Sequence, residues 1–440
     1  MQCDFTRGPI RRSLMLFSLP LIGGNLLQQL YNIVDTWIVG RYLGNAALGA
    51  VGSAFALMIL LNSLLLGLCM GSGVVFSQLW GEGKLDAMKT AQVNAFLLIA
   101  VATAVLLAIS YLALPVISRL MRIPPEAAED FTAYLGIIFL GIPFTFLFHF
   151  FSAQLRSMGN SLTPLVYLLI STVGNIVLDL LLVLRFHWGV AGAAWATVLA
   201  QGISAVGLAL DTFFRVPQLR PGREHLRIEG KTMGRIASVS TLTSVQQSIM
   251  NFGILMVQSL VNSFGIATMA AFAAGVKIDS FAYSPAQDFA NGFATFVAQN
   301  DGAGQKERVR QGFRAAAGMS LGFCLVVSVL VFVFAKPLLT LFIDPADVEV
   351  LAIGTTYLRV EGVFYVGIGM LFLLYATYRG LEQAGMSIVL TVISLGLRVV
   401  LSYALAPHWG AWVIWLSIPI GWLAADIVGL YGLHRRKKRA

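Results

Sequence analysis

The chain has 440 residues, of which 58% are hydrophobic and only 12% charged, where a soluble domain carries about 25% charged residues. A chain this apolar cannot cover its own surface with polar groups in water, which excludes a disordered protein, a coiled coil, a disulfide scaffold and almost any cytosolic enzyme. Cys3, Cys69 and Cys324 are too few and too scattered for a disulfide framework or a thiolate metal site, and a net charge of +9 in such a chain points first to membrane topology, not to nucleic acid.

A membrane span needs about 20 mainly apolar residues. In chain order twelve segments qualify, the first six being 14–38, 48–76, 92–115, 132–154, 163–184 and 190–213. After a polar stretch come 236–261, 266–297, 315–335, 352–375, 386–406 and 410–433. Arg7, Arg11 and Arg12 ahead of the run from Leu14 imitate a signal peptide. That run continues through Gly40 without a small-residue cleavage site, so it reads as the first span. Only helices and closed barrels satisfy the backbone in lipid. These segments are too long and too evenly apolar for barrel strands, so an all-α integral membrane fold with twelve transmembrane helices is expected.

With the N-terminus inside, the inner segments hold 22 Lys and Arg and the outer loops 5: Arg41, Arg119, Arg122, Arg185 and Lys336. This bias predicts that both termini are cytoplasmic. The basic tail His434–Arg439 reads as the inner anchor of the last helix rather than a nucleic-acid patch.

The stretch 215–235 is the only long polar linker, and it divides six spans from six. The halves repeat each other. Gly71, Gln78, Gly81 and Gly83 recur as Gly292, Gln299, Gly302 and Gly304, and His187-Trp188-Gly189 recurs as His408-Trp409-Gly410, all at an offset of 221. Tyr134-Leu135 and Arg156 recur as Tyr357-Leu358 and Arg379 at an offset of 223. An even number of spans makes the repeats parallel, with an N-terminal lobe 1–214, a cytoplasmic linker 215–235 and a C-terminal lobe 236–440. Such lobes imply a central cavity between them and transport by alternating access. The Q-x2-G-x-G patches lack the order of a phosphate loop and read as helix ends with a tight turn. No ATP site is found, so transport would be passive or powered by an ion gradient. The five His show no metal spacing, no hydrolase motif is present, and no cofactor is expected.

An ionisable group at membrane depth costs several kcal/mol unless it meets a cavity or a partner. Asp35 lies near the outer end of span 1, and Asp179 near the outer end of span 5 with Asn175 one turn before it. Thr197 sits a short way into span 6 and Tyr134 at the start of span 4. With a helical rise of about 1.5 Å per residue, all five fall at one depth in the outer third of the first lobe. Two carboxylates, an amide and two hydroxyls there could take up a proton or a Na⁺, the latter at Asp35, Asn175, Asp179 and Thr197. Two close carboxylates cannot both carry charge cheaply, which suits reversible protonation. For each residue the alternative is plain helix–helix hydrogen bonding. Pro20, with Gly23 and Gly24 beside it, marks either a static kink or a hinge sensitive to Asp35. The second lobe carries Lys277, Asp279, Asp288, Arg359, Glu361 and Arg398 within spans. Structural pairing across helices, such as Glu361 with Arg398, is the leading reading, and an ion or substrate site at Glu361, Asp279 or Asp288 is the alternative.

The run P-L-I-G-G-N-L-L-Q-Q-L-Y-N-I-V-D (20–35), followed by G-x3-G and A-A-L-G-A-V-G (46–52), resembles the multidrug and toxic compound extrusion (MATE) transporters along essentially the whole chain. The resemblance implies a secondary antiporter that exports cationic amphipathic drugs or metabolites in exchange for H⁺ or Na⁺. It implies an ion-coupling site at Asp35, Asn175, Asp179, Thr197 and Tyr134, and bending at Pro20. Its partners would be small organic cations, H⁺ or Na⁺ and the bilayer of a bacterial inner membrane, with no nucleic acid; a monomer is expected. Span 7 departs from the pattern: it has Gln246, Gln247 and Asn251 but no carboxylate, which favours the first lobe and protons. The rival within the same superfamily is a flippase of a lipid-linked precursor. A pyrophosphate head group would call for several Arg in the cavity, and only two intramembrane Arg and one Lys are present, all in one half.

Overall fold

The computed structural model describes residues 3–120 and 125–439 and contains no strand among them; Arg122 lies outside the described residues. In the first half run α1 (Ile10–Leu43), α2 (Asn45–Gly81), α3 (Leu85–Leu120), α4 (Pro125–Phe139), α5 (Ile142–Ser157), α6 (Leu162–Asp179) and α7 (Gly189–Arg215). A π-helical segment, Leu180–Arg185, continues α6. In the second half run α8 (Gly230–Asn262), α9 (Ile266–Gly302), α10 (Lys306–Leu339), α11 (Val348–Gly362), α12 (Tyr365–Gly380), α13 (Ala384–Trp409) and α14 (Trp412–Arg439).

Two of the twelve expected spans are broken helices. α4 and α5 meet at a 41° bend and α11 and α12 at a 52° bend. The first break falls where Gly141 precedes a proline in the opening turn of α5, a position where proline's missing N–H is no loss. Both breaks sit at the same place in the repeat, since Ile142 and Tyr365, which open α5 and α12, are related by the offset that relates Tyr134 to Tyr357. Among the described residues seven helices are long and apolar enough to cross a membrane, nine if each bent pair is one span. The three others, α1, α8 and α9, are not among them. Several helices also outrun their apolar cores. α2, α3 and α10 continue several residues into polar sequence, since a helix does not end where hydrocarbon does.

The repeat is visible in the backbone. α2 and α9 each end at a glycine whose second successor, Gly83 or Gly304, has φ +71°. The turn closes with Gly83 N–H donating to the Trp80 carbonyl and Gly304 N–H to that of Asp301. A side chain at either position would meet the left-handed penalty that glycine escapes.

The chain forms two compact units. Unit 1 contains Leu19–Ser244 together with the terminal residues up to Asp4; unit 2 contains Phe5–Ser18 and Val245–Ala440. The opening turns of α1 therefore belong with the second half and those of α8 with the first. The stretch 215–235 also belongs to unit 1 and is more than a tether. His225 is buried and contacts Asp86 at 3.2 Å. Asn94 donates to the Arg227 carbonyl and accepts from the Glu229 N–H, and Arg235 donates to Gln78 Oε1 at 2.6 Å.

In unit 1, α2 meets α8 backbone to backbone at Gly67 and Gly71, beside Ser244 and Ser240. Its core gathers Phe131, Leu135 and Phe139 of α4 around Ala47, Ala50 and Ala54 of α2, with Tyr134 among them. In unit 2, Trp415 stacks on Phe272 at 5.4 Å and meets Tyr357 edge-on at 4.9 Å. Phe5, wholly buried, packs edge-on against Phe17 and Phe296, and its backbone is held by Gln299, Asn300 and Arg308.

Candidate functional site

α1 carries Tyr31 and Asp35, and α6 carries Asn175 and Asp179. Each pair is four residues apart, so each shares one helix face. α7 supplies Thr197, and Tyr134 comes from α4. The hydroxyls of Tyr31 and Thr197 lie 3.2 Å apart. Asn175 Nδ2 donates to Thr197 Oγ1 at 3.2 Å. The side chains of Asp35 and Asp179 stand within hydrogen-bonding reach of each other, and the Tyr134 phenol lies within electrostatic range of both. The structure thus brings together, within unit 1, all five residues singled out in the first lobe.

What these residues lack is a donor. Asp179 is fully buried and Asn175 2% exposed. Among the described residues, no N–H or O–H reaches either Asp179 oxygen, Asp35 Oδ1 or Asn175 Oδ1. Buried acceptors are almost always satisfied, so a set of four that is not demands a reason. A proton between the carboxyls, or a small hard cation ringed by carboxylate, amide and hydroxyl oxygens, would complete the set. The π-helical segment opens one residue after Asp179, with Phe186 N–H donating to the Leu181 carbonyl in the wide i to i−5 pattern. Such segments recur at functional sites. Pro20 lies inside α1, which runs from Ile10 to Leu43 as one helix.

Unit 2 holds a second polar cluster. Asp279 of α9 is 1% exposed, and the hydroxyls of Tyr357 (α11) and Tyr365 (α12) donate to its two carboxylate oxygens. Glu361 reaches both Asp279 and Tyr357, while its Oε2 has no partner. The pairing of Glu361 with Arg398 expected from sequence does not form among the described residues. Arg398 lies within electrostatic range of both acids, but its Nε is unpartnered. Lys277 and Arg359 sit instead over the rings of Phe342 and Phe332, at 5.9 and 5.4 Å. Asp288 stands about 13 Å farther along α9 by helical rise and is not part of the cluster.

Three residues escaped the sequence reading. Tyr31 could have been found, since it is one turn from Asp35. Tyr365 could not, because it lies beyond the α11–α12 bend, where helical spacing loses meaning. Asp426 is an acid alone in the apolar run of α14, buried with Oδ1 unpartnered, and depth alone should have flagged it.

A family model described as MatE matches the chain twice, over residues 20–181 and 243–404. The two matches are separated by the same offset that pairs Tyr134 with Tyr357. A probable multidrug resistance protein of Bacillus subtilis, YpnP, is 30% identical over 420 residues, covering 95% of this chain and 92% of that relative. A FAD transporter of Shewanella oneidensis is 25% identical, covering 97% and 95%. Among solved structures, a Vibrio cholerae MATE transporter, VcmN, superposes with a TM-score of 0.92 at 20% identity, covering 98% of both chains. With the family pattern matched in both halves, the chain belongs to the MatE family of multidrug efflux transporters and is a transporter, not an enzyme.

Proposed function

We propose that the chain is a secondary antiporter that exports cationic amphipathic compounds in exchange for H⁺, with Na⁺ as the competing ion. Coupling runs through Asp35 and Asp179, assisted by Asn175, Thr197 and Tyr134. The carrying observation is the contact of two carboxyls from different helices, Asp179 fully buried and Asp35 half-buried, with no donor among the described residues at either Asp179 oxygen or at Asp35 Oδ1. A pair so placed holds one proton readily and two negative charges only at high cost. Proton uptake from outside relaxes the repulsion between α1 and α6, and proton release inside restores it. Pro20, lacking an N–H to bind its own helix, is the point at which α1 bends in response. The positive-inside bias supports cytoplasmic termini in a bacterial inner membrane, and the working unit is a monomer.

The Asp279–Glu361 cluster supports a second ion site in unit 2, because its acids share hydroxyl donors and lack a basic ion-pair partner among the described residues. Substrates beyond cationic drugs belong to this reading too, since one relative is named a FAD transporter.

The test is transport into everted vesicles with an imposed pH gradient. Addition of a cationic drug should collapse the gradient in the wild type and not in Asp35→Asn. If Asp35→Asn combined with Asp179→Asn transports like the wild type, the coupling site is refuted. A response to Na⁺ in place of H⁺ reassigns the ion.

A further inference from the structure

α8, α9 and α12 line a small, partly open cleft within unit 2, separate from the carboxylate cluster. Its polar lining is Gln246, Gln247, Gln287, Asn291, Tyr375 and Arg379, with Phe372 offering an aromatic face and no acid taking part. Amides and a phenol can donate or accept, so they leave the sign of the cleft open. Arg379 decides it.

The Arg379 side chain is 4% exposed and makes one bond, from Nη2 to Asn291 Oδ1 at 2.8 Å. A guanidinium has five donors in a rigid fork. A neutral amide satisfies one of them and compensates no charge. Among the described residues no carboxylate pairs with Arg379. The acid on the neighbouring α14, Asp426, packs against Gly367, twelve residues earlier on α12 and about 18 Å away along the helix. A buried cation left this way costs several kcal/mol, and the fork geometry matches phosphate or carboxylate.

We propose that this cleft accepts the phosphate or carboxylate group of an amphipathic organic molecule, with Arg379 as its counter-ion. The room between these side chains is far smaller than a whole small-molecule site, so the cleft seats at most the anionic group itself while the body of the molecule lies outside it. The proposal extends the transport reading by naming a class of substrate with an anionic group. It rests on that reading only for the transport step, since binding needs neither a gradient nor Asp35.

The test is equilibrium binding to the purified protein in nanodiscs of zwitterionic lipid, read by quenching of flavin fluorescence. FMN and riboflavin are the probes, because they differ only by a phosphate. FMN should bind about tenfold more tightly, the worth of one charge-assisted buried contact, and Arg379→Met should erase that preference. Equal affinity in the wild type, or a preference that survives Arg379→Met, overturns the proposal. Should Arg379→Met not fold, Gln246→Leu with Gln287→Leu carries the test: a reduced preference supports the cleft and an unchanged one overturns it. Nanodiscs containing phosphatidylglycerol identify the source of the anion. Competition with FMN assigns the cleft to a lipid headgroup, and no competition assigns it to a soluble anion. Retained FMN preference in Asp35→Asn, with transport lost, separates this cleft from the coupling site.

Discussion

The hydroxyls of Tyr31 and Thr197 stand 3.2 Å apart, joining α1 to α7 one turn before Asp35. Thr197 also accepts from Asn175, so one hydroxyl ties together the helices that carry the two acids. Interhelical hydrogen bonds in membranes contribute only about 0.6 kcal/mol on average. Tyr31→Phe should therefore leave thermal stability almost unchanged. If the bond positions Asp35 for coupling, ion-driven efflux should nevertheless fall severalfold, with drug binding intact. Vesicle transport measured beside a melting curve separates the two: unchanged efflux would reduce Tyr31 to a packing residue.

The contact of Asp35 with Asp179 makes a second prediction about additivity. Two groups that share a proton act as a unit, and groups in contact show coupling energies of about 0.5–3 kcal/mol. Asp35→Asn and Asp179→Asn should each abolish ion-driven efflux. The double variant should lose no more than either single one, and should fold as well as the wild type because like charges have been removed from a buried site. Multiplicative losses in the double variant would show that the two acids act separately.

These residues were legible in the sequence because membrane depth is a one-dimensional quantity. Counting residues from the ends of spans 1, 4, 5 and 6 puts five polar groups at one level, and a bundle of helices at one level leaves few places for them to go. The same counting fails in the second half. At the offset that relates Tyr134 to Tyr357, Asp35 is matched by Gln258, and Asn175 and Asp179 by Arg398 and Ser402, so the repeat keeps its tyrosine and changes the rest. Tyr365 joins Tyr357 on Asp279 from beyond the 52° bend between α11 and α12, where counting residues along one helix no longer predicts position. Cross-helix pairing of Glu361 with Arg398 looked natural on charge alone, yet charge does not specify which face of α13 turns inward.

The second cluster yields a prediction that distinguishes scaffold from ion site. Both hydroxyls donating to Asp279 come from tyrosines buried with it. Tyr357→Phe or Tyr365→Phe strips one donor from a buried carboxylate, a loss of about 1–3 kcal/mol. Either variant should melt below the wild type. Asp279→Asn should melt lower too, since the amide satisfies two phenols less well. Were the cluster only structural, the surviving folded fraction of Glu361→Gln would transport normally, since its Oε2 already has no partner. Slowed efflux in folded Glu361→Gln, measured per mole of monodisperse protein, assigns the cluster to ion movement.

Phe5 supplies a test of packing in unit 2. Its ring fills a wholly buried space against Phe17 and Phe296, although it precedes the first helix. Truncating a buried phenylalanine costs about 3–5 kcal/mol. Phe5→Ala should lower the midpoint of thermal unfolding strongly, whereas Leu19→Ala, whose side chain is exposed, should not. Equal melting of the two variants would mean that the segment before α1 contributes nothing to the unit.

The glycines of α2 divide by what surrounds them. A Cβ on Gly71 would lie 2.4 Å from the Ser240 Cα, and one on Gly67 the same distance from the Ser244 Cα. Those atoms are backbone and cannot swing aside, so α2 and α8 would have to separate along their contact. Gly49, in the same helix, has nothing within 4 Å of its ideal Cβ. Alanine restores about 0.8–1.0 kcal/mol of helix propensity over glycine. Gly49→Ala should therefore leave unit 1 as stable as before or slightly more so. Gly71→Ala should destabilise it by about 1–3 kcal/mol, the usual cost of overpacking, despite the same chemical change in the same helix. Ser240→Gly should not rescue it, because the clash is with the serine's backbone and not its side chain. Melting curves of the three variants in one detergent decide the matter, and equal stability of Gly49→Ala and Gly71→Ala would disprove the close approach.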